Sequence, residues 1–353
     1  MQATRGPAAA GKSLSPRDLK HPHRQALDRS VITLVAGSLL AGGATLQAQE
    51  APPVSSGAGG LSASAPGSPA PNSVLATYPN EVSATADFLY GQGNVTLPLG
   101  YALAKSLPGN SLRPQVMTVN RSTEYYGGTV SYAYNRSWCL DFSYANGSSS
   151  GAQNVTINNT FLGNVSPGHF NANLDYRANQ YQLYLRHNFH DWLAGTPFQA
   201  YVRGGVDLVD ATMTVNDNSP SPLYQQRDET TDVTGNLGVG LTFSLYHTPR
   251  FQLSLQGEGD GSWGGRCQDS TETLPLDYNL GPTHAHINNE LYGCFGRGTL
   301  HADWRVGQSE RWCLTGDVGL QARYTIVTFP DGGGSPAEYL WGPCVQIGVR
   351  FVF

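Results

Sequence analysis

The chain has 353 residues, 21 Lys and Arg, 26 Asp and Glu, and a formal charge of −5. Charged residues make up 13% of it and Lys occurs only at Lys12, Lys20 and Lys105, a poor basis for a soluble surface, since ordinary soluble proteins carry roughly 25%. No run of eighteen apolar residues exists beyond the N-terminal region, which argues against a helical membrane protein.

Residues 1–30 carry Arg5, Lys12, Arg17, Lys20, Arg24 and Arg29 against Asp18 and Asp28. An apolar segment from Val31 to Ala41 follows, then small residues through Ala44 and Ala48. This layout predicts a secretory signal peptide over residues 1–48, because a membrane anchor needs about 20 apolar residues. Its removal leaves 15 basic and 24 acidic residues, a charge near −9. That excludes a basic, nucleic-acid-binding surface. Residues 49–80 are rich in Ala, Pro, Ser and Gly and are expected to form a disordered leader in the periplasm.

From Val82 the pattern alternates with a period of two. Strands are expected near 82–91, 122–134, 138–147, 172–187, 197–210, 230–246, 250–260, 288–305, 311–327 and 338–353. In the sixth, Val233, Leu237, Val239, Leu241, Phe243 and Leu245 share one face, and Thr234, Asn236, Gly238, Gly240, Thr242 and Ser244 the other. Connections alternate between short and mostly long, and the segments are longer than soluble strands, which average about 5–6 residues. Trp138, Trp192, Trp304 and Trp312 flank the short turns, while Trp263 and Trp341 sit toward the long connections. Two rings of amphipathic side chains at this spacing match two membrane–water interfaces. The fold expected is an all-β, closed, antiparallel up-and-down transmembrane barrel over residues 81–353, with about ten strands and eight or twelve as alternatives.

The last fifteen residues, YLWGPCVQIGVRFVF, alternate Val345, Ile347, Val349, Phe351 and Phe353 with Gln346, Gly348 and Arg350. This ending resembles the bacterial outer-membrane β-barrel proteins. The resemblance implies an outer-membrane location, a lipid surround, closure of the last strand on the first near Ala84 to Tyr90, and Phe353 as the mark read by the barrel-assembly machinery.

Ten strands leave a narrow or blocked lumen. Its expected inward polar residues are Arg203, Asp207, Glu258, Arg297, His301, Asp303, Asp317, Arg323 and Arg350, whose mixed signs point to mutual pairing over ion selection. A narrow pore or structural barrel with a salt-bridged lumen is therefore the leading functional expectation. A surface adhesin or receptor acting through long loops is the alternative. A hydrolase is the weakest reading: ten-stranded barrels include the omptin proteases, which work with Asp and Asp–His pairs at the outer rim, but His301 and Asp303 lie toward the periplasmic end. No enzyme activity, cofactor or metal site is expected; His284 and His286 read as solvated loop residues. Cys267 and Cys294 bracket the fourth long loop and could staple it, while Cys139 and Cys313 read as packed thiols. Cys344 completes the five.

Overall fold

A computed structural model of the chain describes residues 80–102, 115–157, 168–189, 196–217, 224–273, 282–307, 311–329 and 334–353. The expected signal peptide, and all of the expected leader but Asn80, lie outside the described residues. Ten antiparallel strands follow in chain order: β1 (Glu81–Leu99), β2 (Gln115–Ala133), β3 (Trp138–Ile157), β4 (Gly168–Phe189), β5 (Phe198–Asp217), β6 (Gln225–His247), β7 (Phe251–Thr273), β8 (Thr283–Val306), β9 (Trp312–Thr328) and β10 (Ala337–Val352). Each pairs with the next, and β1 closes on β10 with Ala84 opposite Val349 and Leu89 opposite Cys344. Closure gives every strand a hydrogen-bonded neighbour on each side, which a sheet in hydrocarbon requires.

Strand number and closure agree with the sequence expectation, but the upper ends do not. The strand expected at 250–260 runs to Thr273, and stretches of 92–121, 148–171, 211–229 and 261–287 expected as loops are strand. Beyond Trp263 both faces of β7 are polar: Arg266, Gln268, Ser270 and Glu272 on one, Cys267, Asp269 and Thr271 on the other. Alternating hydropathy vanishes there while the hydrogen-bond ladder continues, so periodicity could not mark these residues as strand.

One hairpin leaves the wall. Pairing of β1 with β10 stops at Gly93 opposite Leu340, whereas pairing with β2 runs on to Leu99 opposite Gln115. From Gly93 to Leu99 every residue is buried, on both faces of the strand. Val95, Leu97, Leu99 and Val119 pack on Leu174, Tyr176, Met213, Val215 and Tyr224. Tyr101 and Ala102 pack on Ile287, Leu291, Val327 and Phe329. The tip of β1 is thus folded inward over the mouth, with apolar contacts to β4 and β5 on one side and to β8 and β9 on the other.

All five cysteines are free thiols. The expected staple between Cys267 and Cys294 is not formed: Cys267 lies opposite Asn288 and Cys294 opposite Gly261, so the two sulfurs are separated along the strands.

Candidate functional site

Alternate residues of every strand face the lumen, and their polar groups form three levels. At the outer level Arg266 on β7 reaches two strands: Nε and Nη2 donate to Asp232 at 2.7 and 2.9 Å, and Nη1 and Nη2 to Glu338 at 2.8 and 2.9 Å. Glu338 Oε1 also accepts the Thr96 amide of the inturned hairpin at 2.9 Å, and Asn94 Oδ1 accepts the Tyr339 amide at 2.8 Å. Gln226 on β6 donates through Nε2 to the Pro98 carbonyl at 2.9 Å and to Asp228. Burial pushes the Asp228 carboxyl up to about 6, against hydrogen bonds from Gln226, Ser270 and Gln268 and the charge of Arg266.

At the middle level Arg203 on β5 donates to Glu258 at 2.9 Å and to Asp260, both on β7. Tyr201 donates to Glu258 at 2.7 Å, its ring lying over Gly240, where a Cβ would fall 2.0 Å from a ring carbon. Arg323 on β9 crosses the lumen to Asp207 on β5 at 2.7 Å, and Asp207 also accepts from Tyr184 and Gln182. Arg297 donates to Gln346. A cavity of about 290 Å³ lies among these groups, lined also by Asp87, Arg186 and Thr299.

At the periplasmic level His301 Nδ1 lies 2.9 Å from Asp317, and Nε2 lies 3.1 Å from Asp303. Arg350 donates to Asp303 at 2.9 Å and lies 3.5 Å from Glu81. Arg186 lies 3.5 Å from Asp141 and donates to the Cys139 sulfur at 3.3 Å. Charges of opposite sign meet at every level, and several of these pairs join strands that are not neighbours in the ring.

The outer surface has the opposite character. Leu237, Val239 and Leu320 are 63%, 61% and 62% exposed, and Leu241, Val318, Ile347 and Val349 are exposed beside them. Trp263, Tyr292, Tyr324, Tyr339 and Trp341 ring this apolar belt toward the long connections. Trp138, Phe198, Tyr246, Trp304, Trp312 and Phe353 ring it at the other end. On β7 the belt runs from Phe251 to Trp263, about 29 Å of height for a strand tilted near 45°, which matches a hydrocarbon core. An apolar belt that is exposed all round, on a wall with a polar interior, cannot be a soluble sandwich.

The chain is a closed ten-strand antiparallel β-barrel with an apolar exterior and a polar interior, the architecture of transmembrane barrels. No family model and no curated protein matches it. Among solved structures it is similar to the outer membrane protease OmpT from Escherichia coli, at 10% identity and a TM-score of 0.41, covering 80% of this chain and 100% of that one. The translocator domain of the autotransporter NalP from Neisseria meningitidis matches at 10% identity and a TM-score of 0.35, over 78% of this chain and 88% of that one. Ail, the attachment invasion locus protein of Yersinia pestis, matches at 11% and 0.26, over 77% and 99%.

Of the nine polar residues singled out in the sequence, Arg203, Asp207, Glu258, Arg297 and Arg323 line the middle cavity, and His301, Asp303, Asp317 and Arg350 meet at the periplasmic level. Trp138, Trp304, Trp312 and Trp341 stand on the exterior; Trp192 lies outside the described residues. Sequence reasoning missed the outer level. Gln226, Asp228 and Arg266 lay in stretches expected as loops, and Asp232 and Glu338 in expected strands without a visible partner. His284 and His286 lie on β8 and not in a loop.

Proposed function

We propose that this protein is a shut structural barrel of the outer membrane, without enzymatic activity, that supports a rigid extracellular extension of its own wall. The observation behind this reading is the Gln226–Pro98 hydrogen bond, which pins the inturned hairpin whose own residues enter two apolar clusters. A steady current needs a continuous wet path, and an apolar stopper above a salt-bridged middle opposes one. Export through a cleaved signal over residues 1–48 and recognition of Phe353 by the barrel-assembly machinery belong to the same proposal; deleting Phe353 is expected to lower the yield of inserted barrel.

Planar-bilayer recording tests the closure. The full-length barrel is expected to be silent, and a variant lacking residues 94–118 to conduct. Steady conductance of the parent would sink the shut reading in favour of a narrow pore. The second reading, a surface adhesin or receptor, draws on the strand extension: β6 to β8 continue well past the Trp263 ring and display polar outward faces. Cell or matrix binding that is lost when 218–223 and 274–281 are replaced by short turns would favour it.

A further inference from the structure

Above the Trp263 ring, the wall of β7 and β8 presents a cluster unrelated to lumen closure. Arg266, Gln268, Ser270 and Glu272 are buried inside, so Cys267, Asp269 and Thr271 face outward, opposite Asn288, His286 and His284. His286 Nδ1 lies 2.7 Å from Asp269 Oδ1, and His286 Nε2 lies 3.9 Å from Cys267 Sγ. A carboxylate can only accept, so in the neutral ring it holds the proton on Nδ1 and leaves the Nε2 lone pair toward the sulfur. The thiol itself donates to Asn288 Oδ1 at 3.1 Å. Burial and the nearby Asp269 carboxylate push this thiol above its ordinary value, so it rests protonated and needs a proton acceptor in order to react.

Nucleophile, base and base-orienting carboxylate therefore stand in the order that activates a thiol. Three other cysteines, Cys139, Cys313 and Cys344, are buried, and Cys294 lies opposite Gly261, below the aromatic ring and toward lipid. Cys267 alone among the five combines access from water with a histidine base.

We propose that Cys267 is a base-assisted surface thiol that forms mixed disulfides with low-molecular-weight disulfides outside the membrane. The face is an open sheet, and thiol–disulfide exchange asks for access and a proton acceptor but not for the oxyanion donors that acyl transfer needs. As Cys267 Sγ attacks one sulfur of the incoming disulfide, the S–H bond breaks and the proton passes to His286 Nε2. The incoming S–S bond breaks, a new S–S bond forms to Cys267, and the second sulfur leaves as a thiolate that regains a proton. The disulfide is the oxidant, and no further co-reactant is required.

The test uses the full-length barrel in detergent micelles with Cys294→Ser, oxidised glutathione as probe, and intact and peptide mass spectrometry as readout. One mixed disulfide at Cys267 is expected, absent in Cys267→Ser. His286→Ala is expected to slow its formation by about tenfold or more at neutral pH and to leave a rate that rises only as the thiol itself ionises. Asp269→Asn is expected to fall between the two. Heat-modified gel mobility verifies that each variant is folded. Equal rates for parent and His286→Ala at every pH between about 6 and 9, or an adduct mapping to another cysteine, would overturn the proposal.

Discussion

Gln226 and Pro98 lie on strands that are nowhere neighbours in the ring, yet the Gln226 amide donates to the Pro98 carbonyl at 2.9 Å. The bond therefore spans the mouth. A carbonyl in an apolar cluster needs a donor, and Gln226, itself 1% exposed, supplies it from the far wall. Its own amide oxygen accepts from Tyr224, so the anchor is oriented on both sides.

Replacing Gln226 with Leu removes this hydrogen bond across the mouth while keeping the volume apolar. An unpaired buried acceptor costs about 1–3 kcal/mol. The expected result is a barrel that inserts normally but shows faster amide exchange over 94–99 and brief conductance bursts. Exchange at the parent rate would mean that the apolar clusters hold the hairpin without this bond.

Arg266 offers a larger effect. Its guanidinium answers two carboxylates, Asp232 and Glu338, and its side chain is 8% exposed. Arg266→Met leaves Glu338 the Thr96 amide but takes the cation away from both acids in a buried site, where breaking one partner of a pair costs about 3–5 kcal/mol. Urea unfolding in lipid vesicles is expected to show this loss. The triple change adding Asp232→Asn and Glu338→Gln is expected to recover most of it; failure to recover would assign the loss to packing.

What was legible in the sequence, and what was not, follows the lipid boundary. Between the two aromatic rings each strand has one apolar and one polar face, so Leu237 and Arg203 announce their sides. Above the outer ring both faces are wet or polar, and Cys267 and Gln268 look alike in sequence though one faces out and the other is 1% exposed. The stopper escaped for a different reason. VTLPL from Val95 to Leu99 falls in a stretch expected as a loop, and only the inward bend supplies the neighbours that bury both of its faces. Long-range partners such as Arg323 and Asp207, 116 positions apart, leave no local spacing to find.

Asp228 gives the outer level a pH dependence. Its carboxyl is held at about 6 in the folded barrel by burial, above the ordinary carboxylate value. The folded state therefore binds the proton more tightly, and this contribution is complete below about pH 4 and lost as pH rises through 6. Its size is roughly 2–4 kcal/mol. Stability of the parent is expected to fall over that window, and Asp228→Asn, which stays neutral, is expected to flatten the profile. A parent profile that rises from pH 4 to 7 would contradict this origin.

The outward direction of the apolar faces can be measured by charge insertion. Leu241 is 55% exposed and lies between the two aromatic rings, so in lipid its replacement by Arg puts a cation into hydrocarbon. At the bilayer midplane that costs about 2–4 kcal/mol in a barrel. Farther up the same strand, Arg227 forms an exposed pair with Glu229 and stands clear of the belt; Arg227→Ala is expected to change stability by at most about 0.5 kcal/mol. The contrast separates two environments on one outward face, because a wall wetted along its whole length would tolerate Leu241→Arg as well as it tolerates Arg227→Ala. Unfolding in phosphatidylcholine vesicles measures both, and equal tolerance at the two positions would remove the lipid belt from under the structure.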